Sequence, residues 1–321
     1  MDLADWENKL EMIPSRFGYG DGLVDAGRAD KNVMVLAADV AESTRCHLFA
    51  KEFPDRFIQC GVAEQNMAEV AIGLALEGKI PFIASYAVFS PGRNWDQVRI
   101  GVCYNEANVK IAGAHVGIGT GPDGATHQAL EDVGIMRVLP KMMVEVPCDY
   151  WDARKITREA AKVVSPFYFR LGRDKAPVVT TENTPFALGK AEVFREGADV
   201  ALIACGPMVY EALVAAKTLQ TEGISARVIN NHSIKPIDAA TLEKAARDCG
   251  CVVTAEEHQV MAGMGSAVAE TLAQTYAVPQ EFVGMPDHFG ESGKPPELYK
   301  KWGLTSDAIV TAAKKAISRK Q

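Results

Sequence analysis

The sequence predicts an α/β protein built of two consecutive open, mostly parallel β-sheet domains. Short, continuously apolar runs alternate with amphipathic stretches of helical period along most of its 321 residues. Apolar strands separated by helices are typical of βαβ units, whose parallel sheet is covered on both faces. The alternation stops once, at residues 172–190, where turn-forming residues are concentrated. A chain of this length also exceeds what one hydrophobic core usually supports, so two domains are expected.

The first region contains five candidate strands. They are VMVLAA (33–38), IPFIASY (80–86), VKIAGAHV (109–116), MMVEVP (142–147) and FYFRL (167–171). The amphipathic stretches between them predict helices at 63–78, 94–107 and 149–164. Together these elements predict a first domain over residues 1–180.

The same alternation resumes after a linker predicted at residues 181–190. Candidate strands lie at 198–205, 224–230, 251–256 and 281–285. Helical patterns lie near 207–222, 238–248, 265–276 and 305–319. They predict a second domain over residues 191–321.

Composition and charge exclude several classes of protein. The 34 Lys and Arg residues against 41 Asp and Glu give a formal charge of −7, whereas nucleic-acid binding usually requires a basic surface. No apolar run reaches the roughly 18 residues that span a bilayer, and the acidic N-terminus lacks the apolar segment of a secretory signal. We therefore expect a cytoplasmic protein that binds neither nucleic acid nor a membrane.

The seven cysteines are expected to be reduced, mostly buried thiols, because their number is odd and the sequence shows no secretion signal. Cys249 and Cys251 lack a second pair of cysteine or histidine ligands, so no zinc site is expected there. No metal site is predicted in this chain.

Unusual residues occupy the loops after the predicted strands, where ligands of open α/β sheets collect. Glu64 lies in GVAEQN (61–66), at the start of a helix. It is either a first-turn carboxylate that interacts with the helix dipole or, in an apolar surround, a carboxyl group that holds a proton for a nitrogen heterocycle. Phe89, after the strand at 80–86, is either a core residue or a stacking platform.

The glycine-rich segment AHVGIGTGPDGATHQ (114–128) carries His115, Asp123 and His127 after a predicted strand. A single histidine in an α/β chain is usually structural, but two histidines and an aspartate in one loop are typical of a functional site. These three side chains do not complete the usual ligand set of a structural metal. We interpret them as residues that bind polyhydroxy compounds or move protons at their carbons.

Arg170 and Arg173 flank the end of the strand at 167–171. One interpretation is the start of a solvated linker. The other is an anion clamp, since arginine presents a planar fork to phosphate, sulfonate or carboxylate groups.

The order of these motifs resembles the transketolase family, in its pyrimidine-binding and C-terminal domains. The matching segments are ADVAEST (38–44), GVAEQN (61–66), HVGIGTGPDGATHQALED (115–132), PFYFRLGR (166–173), VTAEEH (253–258) and GMGSAV (263–268). The resemblance covers essentially the whole chain, and it implies ketol transfer in carbohydrate metabolism with thiamine diphosphate as the cofactor.

The resemblance also implies roles for individual residues. Glu64 resembles the glutamate that protonates the pyrimidine N1′ of thiamine diphosphate, and Phe89 resembles the ring on which that pyrimidine stacks. Asp39 matches an acidic position near the cofactor. His115 and His127 resemble the histidines that contact substrate hydroxyls and assist proton transfer.

Further residues resemble the family's substrate site. Asp123 resembles the carboxylate that binds a substrate hydroxyl, and the residues that match its phosphate-binding positions are Arg16, Ser43 and Arg173. Arg170 is a departure, because full-length transketolases tend to have a small residue there, and an arginine resembles the deoxyxylulose-phosphate synthase branch. We include Arg170 among the predicted substrate-binding residues.

One part of the family's cofactor site is missing. Gly20-Asp21-Gly22 matches the GDG that opens a thiamine-diphosphate and magnesium motif, but the downstream window HLFAKEFPDR (47–56) lacks the required asparagine. We therefore interpret GDG as glycines that frame a loop or a helix. The diphosphate and Mg²⁺ are expected to be held mainly by an N-terminal transketolase subunit, in an α2β2 assembly.

The sequence thus predicts the C-terminal subunit of a two-chain transketolase. Such an enzyme transfers a two-carbon ketol unit from a ketose phosphate, or another anionic ketose, to an aldose. Two alternatives are a deoxyxylulose-phosphate synthase-like chain and the beta-type subunit of a 2-oxo acid dehydrogenase. A third is a catalytically silent scaffolding half, against which the presence of Glu64, His115 and His127 argues.

Overall fold

A computed structural model describes residues 1–320 and confirms the α/β class with two sheet-containing regions. The elements of the first region are β1 (Met12–Ile13), α1 (Ser15–Ala29), β2 (Val33–Ala37), α2 (His47–Glu52), β3 (Phe57–Gln59), α3 (Glu64–Leu76), β4 (Ile80–Tyr86), α4 (Trp95–Gln97), β5 (Lys110–Ala114), α5 (Asp132–Arg137), β6 (Met143–Glu145), α6 (Tyr150–Ala160), β7 (Phe167–Leu171) and β8 (Ala176–Pro177). Helix α4 continues as a π-helix over Val98–Tyr104, and 3₁₀ turns lie at Pro54–Arg56 and Ile118–Asp123.

The elements of the second region are β9 (Glu192–Arg195), β10 (Val200–Ala204), α7 (Met208–Thr221), β11 (Ala226–Asn230), β12 (Ser233–Lys235), α8 (Ala239–Cys249), β13 (Val252–Gln259), α9 (Met264–Gln274), β14 (Gln280–Met285), α10 (Pro295–Trp302) and α11 (Ser306–Ser318). Within residues 1–320, no helix combines the length and the apolar character that crossing a membrane would require.

Two open sheets form the core. The larger has seven strands in the order β12-β6-β7-β5-β4-β2-β3, and the smaller has five in the order β14-β13-β10-β11-β9. Every neighbouring pair is parallel except β12 with β6 and β9 with β11, which lie at sheet edges. The carboxyl ends of β2, β4, β5 and β7 therefore meet at one edge of the larger sheet, where ligands are expected.

The GDG sequence lies inside helix α1, as the interpretation of helix-framing glycines requires. An added Cβ at Gly22 would lie 2.7 Å from the Thr157 Cβ of α6, and one at Gly20 would lie 2.5 Å from the Arg45 Cβ. The two glycines therefore let α1 pack closely against α6 on one side and against the segment that carries Arg45 on the other.

One strand crosses between the two regions. Strand β12 follows the second region's β11 but pairs with β6 at the edge of the larger sheet. The adjoining His232 is fully buried between Glu145 and Glu192. Burial lowers its pKa, but the hydrogen bonds to these carboxylates outweigh that effect and raise the pKa of His232 well above its ordinary value. The domain boundary at residues 181–190 stays a prediction. The pairing of β12 with β6 joins the two regions on either side of it.

Candidate active site

Aromatic and imidazole rings cluster at the carboxyl ends of β4 and β5. The ring of Tyr86 stacks on that of His115 with 3.9 Å between centroids, and the Phe89 ring meets the His127 ring edge-on at 5.5 Å. Three residues predicted from sequence, Phe89, His115 and His127, thus lie together although they belong to two different loops. Phe89 and His127 are half-buried, so their faces border solvent-accessible space.

His115 is held rigidly as a neutral imidazole. It is 3% exposed and has φ +57°, a conformation that is uncommon outside glycine. Burial, and then the positive charges of Arg16 and Arg173, lower the pKa of His115 to about 3. Among residues 1–320, its buried Nδ1 atom has no hydrogen-bond partner.

Basic side chains line the space beside His115. Arg16 donates a hydrogen bond to the Ser43 carbonyl, and Arg173 donates one to the Thr120 carbonyl at 2.6 Å. Burial, and then the charges of Arg173 and Arg45, lower the pKa of Arg16. Like charges held this close are typical of a site that takes an anion. The predicted phosphate-binding residues thus share one edge of the site.

Glu64 is the first residue of α3, and its side chain is 2% exposed. Its Oε2 accepts a hydrogen bond from the Arg93 guanidinium at 2.8 Å, and its Oε1 accepts one from the Ser85 hydroxyl at 3.3 Å. The expected apolar surround is therefore wrong, because a cation lies directly against this carboxylate.

The two predicted aspartates lie at the surface. Asp39 follows β2 with φ +60°, and its backbone N–H donates to the Gln59 side chain at 2.7 Å. Asp123 ends the 3₁₀ segment of the His115 loop. Both side chains are exposed, so neither belongs to the buried part of the site.

The second region supports the loop that carries His115 and Asp123. The Glu257 carboxylate of β13 accepts a hydrogen bond from the Gly119 backbone N–H at 2.7 Å. An added Cβ at Gly117, where φ is +70°, would lie 2.2 Å from that carboxylate. Burial raises the pKa of Glu257 to about 7. The glycines of this loop therefore serve its docking against β13.

The structure corrects the prediction for Arg170. Its guanidinium is buried, ion-paired with Asp132 at 2.9 Å, and donates to the backbone carbonyls of Ala129 and Glu257. Burial lowers its pKa, but the charges of Asp132 and Glu257 outweigh that effect and raise the pKa of Arg170 above its ordinary value. Arg170 is thus a structural cation that joins β7, α5 and β13, not part of an anion clamp.

Replacing Arg170 with methionine is expected to lower the free energy of unfolding by about 3–5 kcal/mol, because Asp132 would keep a buried charge without its cation. Urea denaturation checks this value. Arg28→Met removes the exposed Arg28–Glu52 pair and serves as the control, which should change stability little. A loss in Arg170→Met no larger than that of the control would contradict the structural role.

Several residues of the site were not identified from sequence. Tyr86 ends β4 and Arg93 lies in the loop that follows it, Arg45 stacks on the Phe17 ring at 4.1 Å, and Glu257 comes from the second region. Tyr86 could have been found, since it ends a predicted strand beside Phe89. The others depend on contacts with residues distant along the chain.

The donor set fits a planar nitrogen heterocycle better than a metal ion. Such a ring can be bound by a carboxyl group that meets its nitrogen and by an aromatic face on which it stacks. Glu64 offers the buried carboxyl group and Phe89 the aromatic face, and both side chains contact Arg93. Within residues 1–320, no group of three or more His, Cys, Asp or Glu side chains is placed to hold a metal.

Comparisons with known proteins match both regions of the chain. The model of the transketolase pyrimidine-binding domain matches residues 11–178, and that of the transketolase C-terminal domain matches residues 189–309. A putative transketolase C-terminal section from Methanocaldococcus jannaschii is 42% identical over 297 residues, which are 92% of this chain and 93% of that protein.

Two relatives have more specific names. A 6-deoxy-6-sulfo-D-fructose transketolase subunit from Clostridium sp. (strain MSTE9) is 42% identical and covers 98% of both chains. An apulose-4-phosphate transketolase subunit from Phocaeicola vulgatus is 37% identical over 94% of this chain and 97% of its own length.

A similar solved structure is described as a split gene transketolase, inactive β4 tetramer. It is 45% identical, superposes with a TM-score of 0.89, and covers 97% of this chain and all of its own. The transketolase of Leishmania mexicana shares the fold, with a TM-score of 0.81 at 24% identity over 48% of that longer chain. This chain therefore belongs to the transketolase family and consists of its pyrimidine-binding and C-terminal domains.

Proposed function

We propose that this chain is the C-terminal subunit of a two-chain, thiamine-diphosphate-dependent transketolase that transfers a two-carbon ketol unit from an anionic ketose to an aldose. The observation that carries the proposal is the placement of one buried carboxyl, two histidines and a basic edge around the same sheet edge. Its family membership and its similarity to proteins named as transketolase subunits support the same activity.

Glu64, Phe89 and Asp39 are the proposed cofactor-binding residues. When bound, thiamine diphosphate supplies the carbanion chemistry of ketol transfer. Phe89 offers a half-exposed ring for stacking, and the Glu64 carboxyl group would share a proton with a ring nitrogen of the cofactor. The burial of Glu64 keeps bulk water away from this contact.

His115, His127 and Asp123 are the proposed substrate residues. The Nδ1 atom of the neutral His115 imidazole has no hydrogen-bond partner among residues 1–320, and in the proposed enzyme it binds a sugar hydroxyl without adding charge. His127 lies in contact with Thr126, whose hydroxyl is 2.9 Å from its Nδ1 atom, and it moves protons at the acceptor side. Asp123 binds a hydroxyl from the exposed rim.

A partner subunit completes the proposed enzyme. We propose that an N-terminal transketolase subunit holds the diphosphate and Mg²⁺, in an α2β2 assembly. Two observations support this: the GDG of this chain serves helix packing, and the similar solved structure described as a β4 tetramer is also described as inactive.

The proposed donor is an anionic ketose. The relatives named above act, by their names, on a sulfonated fructose and on a sugar phosphate, and the edge formed by Arg16, Ser43 and Arg173 suits either anion. The test is a donor screen of the reconstituted two-chain complex with a ketose phosphate, a sulfonated ketose and pyruvate. Turnover of pyruvate alone would favour a synthase or dehydrogenase and overturn the proposal. Turnover of none of the donors would favour a scaffolding half.

Replacing Arg173 with alanine is expected to raise KM for an anionic ketose about 10- to 150-fold with kcat nearly unchanged. A charge-assisted hydrogen bond contributes roughly 1.5–3 kcal/mol. A group remote from the broken carbon–carbon bond is bound equally in the ground and transition states. Steady-state kinetics with phosphorylated and free ketoses measure the effect. An equal loss on both substrates would make Arg173 structural, through its bond to Thr120.

A further inference from the structure

Arg93 occupies two surfaces that the proposed function assigns to the cofactor. Its Nη1 atom donates to Glu64 Oε2 at 2.8 Å. Its guanidinium carbon lies 4.7 Å from the centre of the Phe89 ring. The arginine side chain thus covers the carboxyl that would meet a ring nitrogen and the aromatic face on which that ring would stack.

A guanidinium can stand in for an aminopyrimidine at such a site. Both groups are planar, both carry N–H donors that suit a carboxylate, and both stack on aromatic rings. The Arg93 side chain is 47% exposed whereas that of Glu64 is 2% exposed. The arginine therefore lies between the buried carboxylate and solvent, and it compensates a buried charge that would be costly alone.

The backbone of the Arg93 loop is fixed independently of the Arg93 side chain. The fully buried Asn94 donates to the Glu64 backbone carbonyl and to the Ser90 hydroxyl, both at 3.1 Å. The Arg93 backbone N–H donates to the Phe89 carbonyl at 2.9 Å. The loop can therefore stay in place while the exposed side chain alone rotates into solvent.

We infer that Arg93 closes the pyrimidine site of the unliganded chain, and that the cofactor's heterocycle binds only after the guanidinium leaves Glu64 and Phe89. This inference rests on the proposed function. Breaking the Arg93 contacts costs part of the binding free energy of the cofactor. Arg93 is a positioning residue in this scheme, because it sets when Glu64 becomes accessible and does not itself touch the substrate.

Calorimetric titration of the reconstituted two-chain complex with thiamine diphosphate, in the presence of Mg²⁺, tests the inference. Arg93→Ala is expected to lower the dissociation constant about 10-fold or more, because the competing charge-assisted bond is lost. Arg93→Lys keeps a charge near Glu64 but lacks the planar guanidinium. Its dissociation constant for thiamine diphosphate should lie between those of the wild-type complex and Arg93→Ala. The exposed Arg99 gives the matched control, since Arg99→Ala should leave the constant unchanged.

Making Arg93→Ala in a Glu64→Gln background separates the effect of the Arg93–Glu64 contact from that of the Arg93–Phe89 contact. There, Arg93→Ala should improve binding only about two- to fivefold, from the release of Phe89 alone. An unchanged or weaker affinity in Arg93→Ala would overturn the inference while leaving the proposed function intact. Failure of thiamine diphosphate to bind either the wild-type complex or Arg93→Ala would overturn both the proposed function and the role inferred for Arg93.

Discussion

The isolated chain, supplied with thiamine diphosphate and Mg²⁺, is expected to show no ketol transfer, and activity should appear only when an N-terminal subunit is added. Glu64 and Phe89 offer a site for a heterocycle, whereas the aspartate of this chain's GDG, Asp21, lies in helix α1 and accepts a hydrogen bond from the Tyr150 hydroxyl at 2.7 Å. We therefore expect the diphosphate and its metal ion to be held by a second chain.

Titrating this chain with its partner subunit measures the effect. Activity should rise with added partner and reach a plateau at equal amounts of the two chains, as an α2β2 assembly requires. A partner whose GDG aspartate is replaced by alanine is the matched control, since it should bind this chain without restoring turnover. Full turnover by this chain alone would contradict the proposed division of the cofactor site.

Much of the fold could be predicted from sequence because the buried parallel strands consist almost entirely of apolar residues. All five residues of β10 are buried and apolar, so this strand does not alternate in polarity, and β5 departs only at its first residue, the buried Lys110. The strands that were missed are short edge strands. Phe57–Gln59 has only three residues, none of them fully buried, and Ser233–Lys235 pairs with a strand nearly ninety positions earlier. Their existence depends on the tertiary fold.

The candidate site likewise contains residues that could be identified from sequence and residues whose roles depend on tertiary contacts. Glu64 and His115 could be identified because each follows a strand within a distinctive motif. Arg170 was misinterpreted because a strand directs alternate side chains to opposite faces of the sheet. The sequence does not show that Asp132 lies on the face to which the Arg170 side chain points. Arg93 was missed for a related reason, since its contact with Glu64 joins residues 29 positions apart.

Replacing Glu64 with glutamine is expected to reduce ketol transfer about 10²- to 10⁴-fold, the usual contribution of a general acid–base group. Glutamine nearly matches the size of glutamate, and its amide oxygen can still accept the hydrogen bond from Ser85. It carries no acidic proton, so it cannot share one with a ring nitrogen of the cofactor. The fold should survive, because Arg93 is half-exposed and can turn to solvent once its anionic partner is gone.

Exchange of the C2 proton of bound thiamine diphosphate against deuterated solvent is the sharper measurement, because it precedes every substrate-dependent step. Its rate in Glu64→Gln should fall by the same factor as turnover. Glu182→Gln, at an exposed position on the predicted linker, is the control that makes the same chemical change outside the site. If exchange in Glu64→Gln kept the wild-type rate while turnover fell, Glu64 would act on the substrate and not on the cofactor. Its buried carboxyl group would then have to serve a later step.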